Sequence, residues 1–105
     1  MKKMNIFEEG PFKDEGYGML WVHDSANFRV VNFNFKAGQT LPVHNHDVDG
    51  ELTIVVLSGD GEFLGADNVA LPAKAGDVLV CPIAVPHGIR AITEMRVLVT
   101  IAPPP

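Results

Sequence analysis

The chain has 105 residues, a net charge of −5, 47% apolar residues and 20% charged ones, which is the make-up of one compact globular domain rather than a disordered segment. Its eight Lys and Arg residues are scattered, so it lacks the basic face that nucleic-acid phosphates or an anionic membrane surface require. No apolar run approaches the roughly 20 residues that cross a bilayer, and Lys2 and Lys3 are not followed by the apolar stretch of a secretory signal.

The predicted elements are short apolar segments separated by Gly, Pro, Asn and Asp, the pattern of an all-β barrel or sandwich. In chain order the strands are Met19–His23, Phe28–Phe35, Gln39–His46, Leu52–Leu57, Gly61–Leu64, Val78–Cys81, Gly88–Ala91 and Met95–Ile101. The last strand is the clearest, with Met95, Val97, Val99 and Ile101 on one face. Ser58-Gly59-Asp60-Gly61 is a hairpin signal, because Gly and Asp tolerate the positive φ of tight turns. Lys36-Ala37-Gly38 and Lys74-Ala75-Gly76-Asp77 punctuate in the same way. No helix is predicted beyond a single turn in Ala66–Ala70. Residues 1–18 read as an N-terminal extension of the one domain, and Pro103-Pro104-Pro105 as an extended tail.

His44-Asn45-His46 stands at the end of an apolar segment. On a strand, residues two apart point the same way, so both imidazoles can share one metal ion. Glu51 follows across the polar turn Asp47-Val48-Asp49-Gly50, where a hairpin would return its carboxylate beside the two histidines. His87 follows Val78–Cys81 and the stiff segment Pro82-Ile83-Ala84-Val85-Pro86. Three imidazoles and a carboxylate suit Fe, Mn, Ni, Cu or Zn and leave positions open on an octahedral ion.

These spacings resemble the two motifs of the cupin superfamily. Gly38, five residues, His44-Asn45-His46, four residues, Glu51, seven residues and Gly59 is similar to the first. Gly76, five residues, Pro82-Ile83-Ala84, two residues and His87 is similar to the second. The resemblance implies an all-β, single-domain double-stranded β-helix, or jelly roll, with one divalent metal on His44, His46, Glu51 and His87. Three departures stand out: the interval from Glu51 to Gly59 is one residue too long, Ala84 replaces a Gly, and Ala91 replaces an Asn. The long interval requires a bulge or a shifted turn to keep Glu51 facing inward; otherwise Asp47 or Asp49 would take its place.

The other candidates read more plainly. The single cysteine, Cys81, has no partner for an internal disulfide and reads as a small buried hydrophobe. His23 reads as a histidine at the surface or core edge, and Trp21, Phe28, Phe33, Phe35 and Phe63 as core or dimer contacts. Asn32 and Asn34 share a face directed at solvent or at a polar barrel mouth. The resemblance implies a small metalloenzyme, akin to dioxygenases, decarboxylases or isomerases, acting on a small oxygenated compound. The alternative is a non-catalytic small-molecule-binding or sensing cupin with a structural metal. No residue is assigned as general base. The expected partners are a small ligand and a second copy of the chain, with no nucleic acid and no membrane, and the expected location is cytoplasmic.

Overall fold

A computed structural model describes residues 1–105 and contains nine strands. They are β1 (Gly18–Asp24), β2 (Arg29–Phe35), β3 (Thr40–His44), β4 (Glu51–Ser58), β5 (Asp60–Leu64), β6 (Ala70–Lys74), β7 (Val78–Pro82), β8 (His87–Ala91) and β9 (Met95–Ala102). One sheet has the order β1-β2-β9-β4-β7 and the other β3-β8-β5-β6, all pairs antiparallel. This is the expected all-β double-stranded β-helix.

The core lies between the two sheets and follows from strand alternation. On β4, Leu52, Ile54 and Val56 are 1–2% exposed. They pair with Ile101, Val99 and Val97 of β9 on the same face. Phe35, Ile89 and Met95 are fully buried, as is the inward side of the last strand down to Val99. β9 is the central strand of its sheet and β4 lies beside it, each paired on both edges, which suits their continuously apolar sequences. No helix is long and apolar enough to cross a membrane.

At Gly59 φ is +84°, and a Cβ there would fall 2.0 Å from the Glu94 carbonyl oxygen, so the β4–β5 turn requires glycine. Just before it, the pairing of β4 with β9 jumps from Val56–Val97 to Ser58–Arg96, leaving Leu57 as an unpaired bulge. This bulge lies near the C-terminal end of β4, next to the turn, and the pairing from Glu51 to Val56 is regular.

Two elements differ from the sequence reading. β6 was not predicted because Pro72 interrupts it; it is an edge strand, paired only with β5, where the missing N–H costs no ladder bond. A single helical turn, α1 (Ile6–Glu9), also forms. Its cap is reciprocal: the Glu8 N–H donates to Asn5 Oδ1 at 3.1 Å, and the Asn5 N–H to Glu9 Oε2 at 2.9 Å. Predicted strand Gln39–His46 stops at His44.

The extension is a strap over the outer face of the five-stranded sheet. Beneath it Asn32 and Asn34 are wholly buried, facing neither solvent nor the barrel mouth. Their amides bond each other at 2.8 and 3.0 Å, and Asn34 Nδ2 donates to the Pro11 carbonyl at 3.0 Å. Arg96 donates to the carbonyl of Ile6 and lies over the rings of Phe7 and Phe12, 5.3 and 4.6 Å from their centres. The buried amides are satisfied by each other, by the Val97 carbonyl and, for Asn34, by backbone that the extension supplies.

Candidate metal centre

The site begins with a bulge in an edge strand. β3 pairs only with β8, in the register Leu41–Ile89 and then His44–His87. Three residues on β3 therefore span two on β8. Without a bulge, residues three apart would face opposite sides; with it, Leu41 and His44 both turn inward. Pro42 sits in the bulge, where no ladder N–H is needed. On β8, His87 shares the inward face of Ile89 and Ala91.

The pairing brings the His44 and His87 rings to 4.6 Å between centres, with planes at 61°. The His46 ring lies 5.7 Å from that of His44, at 79°. His46 lies beyond the end of β3, but its backbone N–H donates to the Ile83 carbonyl at 3.2 Å, which ties the loop to the segment leading into His87. The three imidazoles anticipated from the sequence thus gather at one end of the barrel.

Tautomers are set by the backbone. His44 Nδ1 lies 2.8 Å from the Pro42 carbonyl oxygen and His87 Nδ1 lies 2.7 Å from that of Val85. A carbonyl can only accept, so each neutral ring carries its proton on Nδ1 and keeps the Nε2 lone pair free. That is the arrangement found behind most metal-binding histidines, where the second nitrogen is held by a carbonyl or carboxylate. Burial pushes the His87 imidazolium below the ordinary histidine value. The Val85 carbonyl opposes this shift, while His44 and His46 reinforce it.

Glu51 stands apart. It is exposed, pairs with Pro82 and Ala102, and forms no ion pair. The register from Glu51 to Val56 is unbroken, so alternation sets Glu51 with Thr53 and Val55, opposite buried Leu52; the bulge at Leu57 does not turn it inward as the motif spacing required. Asp47 and Asp49 are also exposed in their turn. No group of three or more His, Cys, Asp or Glu side chains is closed up as a ready metal cage.

The donor set still fits a metal. An ion about 2.1 Å from each ring nitrogen lies roughly 3.3 Å from each ring centre, so ligands at 90° or 120° have centres roughly 4.6 or 5.7 Å apart. The separations of His44 from His87 and from His46 fall within that range. Neutral imidazoles with free Nε2, as at His44 and His87, suit Fe, Mn, Ni, Cu or Zn alike.

A cavity of about 100 Å³ abuts His87. Leu79 and Cys81 of β7 and Phe63 of β5 contribute to its walls. Sequence reading missed this role of Cys81, which shares an inward face with Leu79; the signal was its place opposite Leu52 in the β4–β7 ladder. Burial raises the thiol's pKa, so it is a neutral wall group. His23 of edge strand β1 packs on Phe28, which leads into β2, with 4.5 Å between ring centres.

Comparison with known proteins agrees with this architecture. Residues 31–101 match the family model described as a cupin domain. An RmlC-like cupin protein from Desulfovibrio desulfuricans is 56% identical, with 100% of this chain and 99% of that one covered and a TM-score of 0.96. A conserved protein with a double-stranded β-helix domain from Klebsiella pneumoniae is 21% identical over 98% of this chain and 90% of its own, with a TM-score of 0.90. Salicylate 1,2-dioxygenase from Pseudoaminobacter salicylatoxidans, whose structure holds gentisate, is 19% identical over 88% of this chain but 26% of its own, with a TM-score of 0.73. No curated protein matches the chain. With its family model covering the barrel from β2 through β9 and its histidines at the positions of the two motifs, the chain belongs to the cupin family.

Proposed function

We propose that the protein binds one divalent transition metal through His44, His46 and His87 and uses it to act on a small oxygenated molecule held in the adjoining cavity. One observation carries this reading. His44 and His87 are cross-strand partners whose Nδ1 protons are committed to backbone carbonyls, which leaves two Nε2 lone pairs on rings 4.6 Å apart. When bound, such a metal supplies Lewis-acid polarisation of a ligand oxygen or a readied water. The chain's own contribution is to fix the tautomers, to bury His87 at 6% exposure and to keep water from the ligand's apolar part. Dioxygenase-, decarboxylase- and isomerase-like reactions all fit these requirements.

Titration of the metal-stripped protein with Zn²⁺ and Fe²⁺ against a chromogenic chelator tests the reading. About one equivalent per chain is expected, with affinity falling as protons compete for the rings. Glu51→Gln is expected to change that affinity no more than about twofold, as for a surface substitution away from the site. Binding of less than about a tenth of an equivalent would end the metal reading.

A non-catalytic binding role is favoured by a different observation. No Asp or Glu lines the cavity, where His87 and the neutral Cys81 thiol are the only proton-bearing side chains. Tight ligand binding by the metal-loaded protein with no turnover of catechol-like or keto-acid compounds would select this second reading.

Self-association is part of the proposal. β7 leaves one edge unpaired and turns Val78 and Val80 outward, 55% and 61% exposed. An apolar open edge on a small barrel is covered most simply by a second copy. Solution scattering at micromolar concentration is expected to give the mass of a dimer; a monomer mass would refute it.

A further inference from the structure

The cavity beside His87 also limits what can occupy it. Its walls come from Phe63, Leu71, Leu79, Cys81, Val85 and Pro86, and it holds about 100 Å³, or about 360 Å³ with its open mouth counted. An apolar cavity of roughly 150 Å³ takes a benzene ring, so this one takes a single ring-sized body with one edge toward the mouth.

A charge lies close by at Arg90, which lines a neighbouring hollow that shares Leu64, Gly65 and Val69 with this cavity and is held there by Glu62. No Lys, Arg, Asp or Glu lines the cavity. Arg90 pairs with Glu62, Arg29 with Asp24 and Lys36 with Asp14, while Arg96 is held by the strap's carbonyls. The mouth is apolar as well: Val69 and Leu71 are each 51% exposed and Val85 45%. A carboxylate on the far side of the ligand would lose hydration with no cation in the cavity wall to meet it, Arg90 next door being already neutralised by Glu62. An uncharged apolar body loses nothing and gains from burial.

We infer that the ligand of this site is a small molecule with an uncharged, apolar body of about one ring and a single polar head directed at His87. Ring compounds carrying a carboxylate at the far end are disfavoured. The inference rests on the metal reading only for what the head meets; the selection against distal charge belongs to the cavity walls.

Phenol and 4-hydroxybenzoate share a head and differ by one distal carboxylate, so they test the inference directly. Binding is followed by NMR titration of the protein's amide signals, in the zinc-free and zinc-loaded states, with zinc affinity measured separately. Phenol is expected to shift signals of β5 and β7, with 4-hydroxybenzoate at least about tenfold weaker, the equivalent of 1.4 kcal/mol. Leu71, half-exposed on an edge strand, accepts substitution without disturbing the core. Leu71→Trp is expected to weaken phenol about tenfold by filling the mouth, and Leu71→Lys to narrow or reverse the preference by supplying the missing cation. Equal or tighter binding of 4-hydroxybenzoate, no binding of either compound, or indifference to both substitutions overturns the inference. Loss of zinc binding with the phenol preference intact would instead remove the metal reading and leave the cavity's selectivity standing.

Discussion

Replacing His87 with alanine is expected to weaken zinc binding by on the order of a hundredfold or more. Partners behind a metal ligand already contribute about ten- to a hundredfold to affinity, and removing the ligand itself removes more. His87 is the most buried of the three rings and the one whose position both anchors the His44 pair and borders the cavity. Its burial also favours the neutral, metal-ready form over the imidazolium. The substitution takes no hydrogen bond from any other side chain, since its Nδ1 bonds only the Val85 carbonyl. The fold should therefore persist, as far-ultraviolet circular dichroism would verify, while chelator competition reports the lost affinity. Wild-type affinity in the alanine variant would show that the site is not built on this ring.

Gly88→Ala should have the next largest effect, although Gly88 bears no ligand. A Cβ at this position would lie 2.7 Å from the Leu41 carbonyl oxygen, 2.9 Å from the Val43 nitrogen and 3.0 Å from the Val43 Cα. All three are backbone atoms of β3, so no side chain can swing aside. β8 is held between β3 and β5, whereas β3 has β8 as its sole neighbour, so β3 is the strand that yields. Its displacement separates His44 from His87. The expected outcome is a stability loss of about 1–3 kcal/mol, as for overpacking elsewhere, with metal affinity down by at least about tenfold. Thermal unfolding and the zinc titration measure the two effects separately. Unchanged affinity would mean that the bulge, rather than the close approach at Gly88, sets the spacing of the rings.

Much of the barrel could be read from the sequence because its strongest signals are local. The alternation of Met95, Val97 and Val99 and the Ser58-Gly59 turn each report their own geometry. The His44-Asn45-His46 pair and His87 were legible for a similar reason, since their spacings belong to strands that the same pattern predicts. Glu51 was harder to place. Its orientation follows from the alternation that runs back from buried Val56 and Ile54, and the one residue that steps out of the ladder with β9, Leu57, lies outside that stretch. Nothing within β4 alone says whether the bulge falls before or after Val56; the register of a distant strand decides it. β6 was hidden by Pro72, a strand breaker in the interior but neutral at an edge. The burial of Asn32 and Asn34 was equally out of reach, because what covers them arrives from afar, with Pro11 of the strap meeting Asn34 across 23 positions of chain and the Val97 carbonyl meeting Asn32 across 65.

The bulge at Pro42 and Val43 has a consequence for motion. His44 rides on a strip of backbone hydrogen-bonded along one side only, the part of a sheet that opens most readily. Its partner ring belongs to the sheet interior. An ion shared between them would act as a rivet, holding shut the seam that is easiest to unzip, and part of the energy of coordination would then be spent on local ordering. Occupancy and the stiffness of this corner of the barrel would rise and fall together.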